Sequence, residues 1–298
     1  MILPSPIYAD FVLPALVNWQ KAGLKTALLT LIGSNGASPR PIGSQLAVSE
    51  TGESLGLITG GCAEGALVHD ALSAMDEGRN RIELYGEGSR FKDITLPCGS
   101  GIRVFIDVQT RIADLEAVIT SRASRRPGLM RIEPADEAPY LRRYLPMCRL
   151  VVVGRGPILV ALAQIAPLME VELVIYTPDD AVHDLPANIA RLALCSPDDF
   201  DAGQLDCYSA LILVTHDHDW EPSILRAGLD TDAFFIGALG SRRAHARRLE
   251  ALAALGASQS SLARVHGPVG LDIGAASPPE IALAIMAQVI QHWRGFAQ

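Results

Sequence analysis

The sequence is poor in positive charge and in aromatic residues. It contains 25 Lys and Arg against 33 Asp and Glu, which gives a formal net charge of −8 at pH 7, and only 5% of its residues are aromatic. A nucleic-acid binder needs positive charge to neutralise phosphates, so this balance disfavours that class. Charged residues make up 19% of the chain and hydrophobic residues 49%. This composition is typical of a folded globular protein and excludes a disordered or fibrous chain.

The sequence also lacks a disulfide pattern, an export signal and a membrane-spanning run. Five cysteines are an odd number in a long chain, so we expect thiols. Residues 1–11 lack a cationic start and an apolar segment with a cleavage site, which predicts a cytoplasmic protein. The apolar run 150–169 contains Gly154, Arg155 and Pro157 near its start, so it predicts a buried strand and helix. The cysteines are Cys62, Cys98, Cys148, Cys195 and Cys207.

Length and hydrophobic pattern predict an α/β protein of two domains. The chain has 298 residues, and a domain typically has about 150. Residues 1–120 mix short strands with helical spacing and predict a smaller N-terminal α+β domain. Residues 121–147 are rich in Arg and Pro and predict a linker. Residues 148–298 alternate apolar β runs with helical runs, which predicts a C-terminal Rossmann-like domain with a parallel sheet.

A glycine-rich turn follows the first strand of this second domain. Gly154 and Gly156 let the backbone turn tightly and approach a phosphate, which the N-terminus of the next helix attracts. The dinucleotide fingerprint has Gly or Ala where Leu159 stands, and an acid at the end of the second strand, where none occurs before Asp179. The turn therefore favours a Rossmann-like fold more strongly than it favours ordinary NAD binding.

Two cysteines lie in glycine-rich loops. Cys62 follows Gly60 and Gly61 at the predicted start of a helix, where the helix dipole favours the thiolate, a metal ligand or nucleophile. A buried, inert cysteine is the alternative. Glu64, in the first helical turn, either contributes to the same site or only complements the dipole. Cys98, in LPCGSG, is not spaced from Cys62 as a zinc ligand, which leaves a softer, thiolate-binding metal open.

Two further loops carry candidate ligand-binding side chains. Arg40 stands between two prolines, which predicts either a fixed guanidinium for a phosphate or carboxylate, or a solvated turn. His216, in THDH, follows the apolar strand 211–214, at the edge where open α/β sheets bind ligands. His216 and His218 share a face of extended chain and could chelate a metal, although a third ligand is not apparent.

A basic helix follows the apolar strand 234–236. Ser241 is the predicted N-cap of this helix. Arg242 lies in the first helical turn, where a cation is unfavourable unless an anion binds there. Arg247 and Arg248 make the same helix unusually basic, and a solvated face is the alternative to an anion site.

The order and spacing of these motifs resemble a known family over nearly the whole chain. The motifs are GASPRPIG, ITGGCAEG, LPCGSG, VVVGRGP, THDH, GALGSRR and GPVGLDIGAASPPEIALAI. They resemble the xanthine dehydrogenase accessory factor family, called XdhC/CoxI. Members of that family bind molybdenum cofactor, protect it while a terminal sulfur is installed, and deliver it to a molybdenum hydroxylase. The resemblance therefore implies a cofactor-insertion chaperone rather than an enzyme.

The resemblance also implies cargo, partners and binding residues. The cargo would be molybdopterin with its metal, which calls for anion-binding amides, arginines and a soft thiolate. The partners would be an apo molybdenum hydroxylase of the xanthine dehydrogenase type and a cysteine desulfurase, and a homodimer is the default assembly. Cys62, with Cys98 second, would contact the metal. The expected cofactor-binding residues are Arg40, Gly60, Gly61, Cys62, Glu64, Cys98, Gly154, Gly156, His216, Gly240, Ser241 and Arg242.

Two other functions stay open on the residues alone. The glycine-rich turn at Gly154 and Gly156 motivates an NAD(P)-dependent oxidoreductase, and the missing acid after the second strand argues against it. A metal-dependent hydrolase using His216 and His218 would need a third ligand.

Overall fold

The chain divides into two compact units, residues 1–146 and 147–298. The computed structural model describes residues 10–36, 40–61, 63–87, 89, 101–134, 138–178, 189–215 and 219–296. No helix within these ranges is long and apolar enough to cross a membrane. The apolar run 150–169 forms a strand and the helix after it, as the sequence predicted.

The first unit is built on a five-stranded antiparallel sheet with the order β3-β2-β1-β5-β4. A two-stranded antiparallel hairpin, β6-β7, follows. The elements are α1 (Leu13–Lys21), β1 (Thr26–Asn35), β2 (Gln45–Ser49), β3 (Ser54–Gly56), α2 (Glu64–Glu77), β4 (Arg81–Gly86), β5 (Gly101–Asp107), α3 (Ile112–Ala123), β6 (Gly128–Ile132) and β7 (Tyr140–Tyr144).

Alternating side chains of β1 bury the two faces of this sheet. Leu29 and Leu31 point to one face, where they pack with Leu67 and other residues of α2. Leu28 points to the opposite face and packs with Leu16 of α1 and the buried side of α3. Successive residues of a strand point to opposite faces, so an almost continuous apolar strand can serve two helical layers.

The segment 121–147, predicted as a linker, is largely regular structure. It contains the end of α3 and the hairpin β6-β7, whose Met130 and Tyr144 are buried with α1 and α3. The buried side chains of β6 alternate with exposed Leu129 and Arg131. Both strands of the hairpin have five residues, are partly exposed and carry three arginines between them, so their alternation is too weak to be recognised against the loop signals around it.

The second unit is a six-stranded parallel sheet with the order β10-β9-β8-β11-β12-β13. Numbered along the sheet strands of this unit, that order is 3-2-1-4-5-6, the doubly wound Rossmann arrangement. Its elements are β8 (Arg149–Gly154), α4 (Pro157–Ile165), β9 (Glu172–Thr177), β10 (Ala190–Ala193), β11 (Ser209–Val214), α5 (Glu221–Leu229), β12 (Phe235–Ala238), α6 (Arg242–Ala254), α7 (Gln259–Leu262), β13 (Val265–His266) and α8 (Pro278–Phe296).

Helices cover both faces of this sheet. Val152 packs on the face covered by α4 and α8, and Val151 packs on the face covered by α5 and α6. A parallel strand that is buried on both faces reads as a continuous apolar run, which explains why β8 and β11 were recognisable from the sequence. The predicted fold class, an α/β protein with a C-terminal Rossmann-like sheet and a smaller N-terminal α+β part, is confirmed.

Local backbone signals determine where the helices begin and end. Helix α1 begins at Leu13, because Pro14 lacks an N–H and fits the first turn. The helix predicted from Cys62 begins at Glu64 and ends before Gly78, whose φ of 66° is left-handed. Helix α8 begins at Pro278, a residue that suits the first helical turn, and continues to Phe296.

Candidate functional site

A tight turn precedes α2 in the first unit. Gly60 and Gly61 have φ of 87° and 105°, in the left-handed region that favours glycine. No atom of the described residues lies within 4 Å of a Cβ placed on either glycine. Both glycines are exposed, whereas Ile58 and Thr59 before them are buried. The turn therefore presents an open backbone surface directly before position 62.

The carboxylate of Glu64 accepts hydrogen bonds from several donors of this turn. Its Oε1 accepts the backbone N–H of Thr59 at 2.7 Å and that of Ile58 at 3.2 Å. Its Oε2 accepts the N–H of Gly61 at 2.8 Å and that of Ala63 at 3.3 Å, and also the hydroxyl of Thr59. The Thr59 hydroxyl in turn accepts the N–H of Ala63 at 3.0 Å. Both oxygens of the carboxylate are thus occupied by donors of the turn.

These hydrogen bonds favour the ionised form of Glu64. Partial burial raises its pKa, but the hydrogen bonds from Thr59, from the backbone and from Ile58 outweigh that effect. The net result is a pKa below the ordinary value for Glu. Glu64 is therefore a carboxylate at neutral pH.

Arg40 lies in a second loop of the first unit. Its guanidinium forms an ion pair with Asp10, so part of its hydrogen-bonding capacity is used within the chain. A Cβ on Gly43 would lie 2.4 Å from Nη1 of Arg142, which places this second guanidinium against the same loop. Arg142 was missed by sequence reasoning because it lies in the predicted linker, and its one signal is the local excess of arginine.

In doubly wound sheets, ligands bind at the carboxyl ends of the strands, at the point where the strand order reverses. In the second unit this point lies between β8 and β11, and we call it the ligand edge. Gly154 ends β8 with a φ of 143°, and a Cβ there would lie 2.7 Å from the carbonyl carbon of Val214. Gly156 is the N-cap of α4 with a φ of 90°, and no described atom lies within 4 Å of its Cβ position. The first glycine permits close strand packing. The second is not covered by any described side chain and precedes the N–H groups of Ile158 and Leu159, since Pro157 has none.

A cavity of about 110 Å³ lies beside this turn, at the carboxyl ends of β8, β9, β10 and β11. Its apolar wall includes Leu194, Trp220 and Ile224. A small, largely apolar slot next to helix N-terminal amides suits a flat ring that carries a phosphate. The lining residues are Val153, Gly154, Arg155, Pro178, Leu194, Thr215, Trp220 and Ile224.

The loop after β12 forms the next part of the same sheet edge. Ser241 caps α6 by accepting the N–H of Ala244 at 3.2 Å, which confirms the predicted cap. Gly240, Ser241 and Arg242 are exposed. Arg248 is not on a solvated face: its side chain is 1% exposed and pairs with Glu221, with Nη2 and Oε1 separated by 3.0 Å. The same Nη2 donates to the carbonyl of Leu239 at 2.7 Å, which ties α5 and α6 to this loop.

Several predicted site residues lie outside the described ranges. These are Cys62, Cys98 and His216, and also His218 and Asp179. Within the part of the chain that the structure describes, no group of three or more His, Cys, Asp or Glu could hold a metal ion. The structure brings Gly60, Gly61 and Glu64 together in one turn and places Gly154, Gly156, Gly240, Ser241 and Arg242 along one sheet edge.

Comparisons with known proteins agree with this architecture. Residues 19–86 match the model of the XdhC and CoxI family, and residues 150–289 match that of the XdhC Rossmann domain. The chain is 32% identical over 284 residues to the molybdenum cofactor insertion chaperone PaoD of Escherichia coli K12, covering 90% of this chain and 83% of PaoD. The chain belongs to the XdhC and CoxI family. The resemblance drawn from the motifs is thereby confirmed.

Two further proteins are similar to this chain at lower identity. A probable xanthine dehydrogenase component of Bacillus subtilis 168 is 22% identical over 314 residues, covering 90% of this chain and 93% of that protein. The crystal structure of a xanthine dehydrogenase from Bacillus halodurans matches with a TM-score of 0.78 at 22% identity, covering 95% of this chain and 96% of that chain. At that identity the structural likeness shows the shared fold alone.

Proposed function

We propose that this protein of the XdhC and CoxI family binds molybdenum cofactor as cargo and delivers it to a molybdenum hydroxylase of the xanthine dehydrogenase type. The observation that carries the proposal is the similarity, over 90% of this chain, to PaoD, which is a molybdenum cofactor insertion chaperone. The Bacillus subtilis relative, a probable xanthine dehydrogenase component, supports the class of recipient.

Cys62 is the residue that we assign to the metal of the cargo. A thiolate is a soft ligand that suits a sulfur-coordinated metal, and a position next to a helix N-terminus favours the thiolate form. Cys62 directly follows Gly61 and directly precedes Ala63, whose amides are both held by Glu64. None of the described side chains covers Gly60 and Gly61, which is compatible with a bulky ligand at this turn. Cys98 is the second candidate.

We assign the binding of a phosphate to the turn at Gly154 and Gly156. The amides at the start of α4 and the open side of Gly156 suit an anion, and the adjoining cavity suits a flat ring. Ser241 and Arg242, with Gly240 and His216, extend this assignment along the sheet edge, and Arg40 is the arginine proposed for an anion in the first unit.

The remaining parts of the proposal concern the biological role. The protein would act as a chaperone without turnover, protect the cofactor in the cytoplasm and support its sulfuration. A cysteine desulfurase as second partner and a homodimeric assembly stay predictions.

An NAD(P)-dependent oxidoreductase is the second candidate. It is favoured by the 3-2-1-4-5-6 strand order and by the cavity beside the glycine turn. Against it, β9 ends at Thr177 and is followed by Pro178, and neither residue supplies the carboxylate that binds a nicotinamide nucleotide ribose.

The deciding experiment measures bound molybdenum and pterin. Wild type, Cys62→Ala and Cys195→Ala are purified without oxygen from cells that make the cofactor. Cys195 is exposed and lies in the other unit, so it is the matched control for loss of a thiol. We expect near-stoichiometric molybdenum and pterin in wild type and in the control, and loss of both in Cys62→Ala.

Two outcomes would contradict the proposal. Absence of molybdenum and pterin from wild type, with a nicotinamide nucleotide bound instead, would replace the carrier by the oxidoreductase. Unchanged molybdenum in Cys62→Ala would leave a carrier but remove the role assigned to Cys62.

A further inference from the structure

The turn before α2 depends on one side chain for its shape. The Glu64 carboxylate accepts the amides of Thr59 and Gly61 at 2.7 and 2.8 Å, together with the Thr59 hydroxyl. Hydrogen bonds to a charged acceptor are about twice as strong as neutral ones, and several converge here on a single group. The left-handed Gly60 and Gly61 cost conformational entropy to order, so the turn needs such an anchor.

The anchored amides stand on both sides of one residue. Gly61 precedes Cys62 and Ala63 follows it, and the N–H groups of both donate to Oε2 of Glu64. Glu64 is also the first residue of α2, which has 14 residues. A carboxylate with both oxygens occupied by donors has little capacity left to act as a metal ligand or a general base.

We propose that Glu64 is a positioning residue that fixes the backbone around Cys62, and that it does not itself contact the cargo. The proposal rests on the proposed function for the role of Cys62. Thr59 acts together with Glu64, because its buried hydroxyl donates to the Glu64 carboxylate and accepts the N–H of Ala63. The pair would fix the backbone on both sides of position 62.

The test compares Glu64→Gln and Thr59→Val with Glu280→Gln. The glutamine amide introduced at position 64 would turn an NH₂ group toward backbone donors, whereas Thr59→Val keeps the Glu64 charge and removes only the hydroxyl. Glu280 accepts the N–H groups of Ala276 and Ser277 at 2.9 Å at the start of α8, so it is a matched carboxylate at a helix start outside the site. Three properties are measured: amide hydrogen exchange in residues 58–63, bound molybdenum and pterin, and the pH profile of Cys62 alkylation.

We expect Glu64→Gln and Thr59→Val to speed amide exchange in the turn and to weaken cofactor retention by about tenfold, which corresponds to about 1.4 kcal/mol. In Thr59→Val the midpoint of Cys62 alkylation should move toward about 8.5, the value of an unstructured thiol. Glu280→Gln should match wild type in all three properties. Because an unfolded chain would also show a midpoint near about 8.5, alkylation is compared at a temperature at which thermal unfolding shows each variant to be folded.

Three results would overturn the proposal. Glu64→Gln with wild-type retention and exchange would show that the anchor is dispensable. Loss of cofactor in Glu64→Gln, with wild-type behaviour of Thr59→Val, would make Glu64 a direct ligand. If wild type binds no molybdenum cofactor, the proposed function fails, and unchanged exchange and alkylation in both variants would then separately refute the positioning role.

Discussion

Arg248 and Glu221 form a buried ion pair that joins two helices of the Rossmann unit. Their side chains are 1% and 4% exposed, and Arg248 donates to Glu221 through Nη2 at 3.0 Å and through Nε at 3.3 Å. Glu221 begins α5, and Arg248 lies in α6 and also donates to Leu239 after β12. The pair therefore joins the start of α5 to α6 and to Leu239, directly after β12.

Removing one partner of this pair should be strongly destabilising. Arg248→Met leaves Glu221 as a buried carboxylate without its guanidinium, which costs about 3–5 kcal/mol. The exposed pair Arg226–Asp230, in which Asp230→Asn should cost less than about 1 kcal/mol, is the control. Urea unfolding of both variants measures the difference. Equal effects would show that the buried pair contributes no more than a surface pair.

The two glycines after β8 should differ in their tolerance of alanine. Gly154→Ala adds a Cβ 2.7 Å from the backbone of Val214 at a left-handed φ, so we expect a loss of about 2–5 kcal/mol. Gly156→Ala meets no described atom and carries only the left-handed cost, about 1–2 kcal/mol. Thermal unfolding distinguishes the two. A larger loss in Gly156→Ala would contradict the packing argument.

The stability contributed by Glu64 should depend on pH. Its pKa in the folded protein lies below the ordinary value of 4.5, so the unfolded chain takes up a proton first as the pH falls. The contribution is fully present above pH 4.5 and is lost as the pH drops through the lowered pKa. The difference in unfolding free energy between wild type and Glu64→Gln should therefore shrink in acid. A difference that stays constant would show that shape, and not charge, accounts for the anchor.

A histidine cluster in the Rossmann unit should make that unit sensitive to mild acid. Desolvation, then the neighbouring His292 and His245, lower the pKa of His266 below 6.5. Its ring stacks on Phe235 with centroids 4.5 Å apart. Because the unfolded chain binds the proton more readily, stability falls as the pH drops below 6.5. Thermal unfolding of His266→Gln should show a smaller loss between about pH 8 and pH 5 than wild type does. An identical loss in both proteins would place the acid sensitivity elsewhere.

The sequence predicted the Rossmann sheet well because the signals were local. The continuous apolar runs of β8 and β11, and the glycine turn after β8, each arise from a few neighbouring residues. The cap at Ser241 was equally local, since a serine before a helical run satisfies amides three residues away.

The parts that were missed depend on contacts across the chain. Arg248 looked like one more surface arginine, and its partner Glu221 lies 27 residues away. For Glu64 the helix dipole was visible in the sequence, but the hydrogen bonds from Ile58 and Thr59 depend on the path of the turn. The two strands of the hairpin β6-β7 are too short and too polar for their alternation to stand out from an arginine-rich segment.

The anchoring of the turn before α2 also determines which of its backbone donors remain for a ligand. The amide hydrogens of Thr59, Gly61 and Ala63 already face the Glu64 carboxylate, so they are not available as an anion nest. A phosphate therefore finds these three donors already occupied, and backbone amides for an anion have to be sought elsewhere in the chain, such as those that follow Gly156.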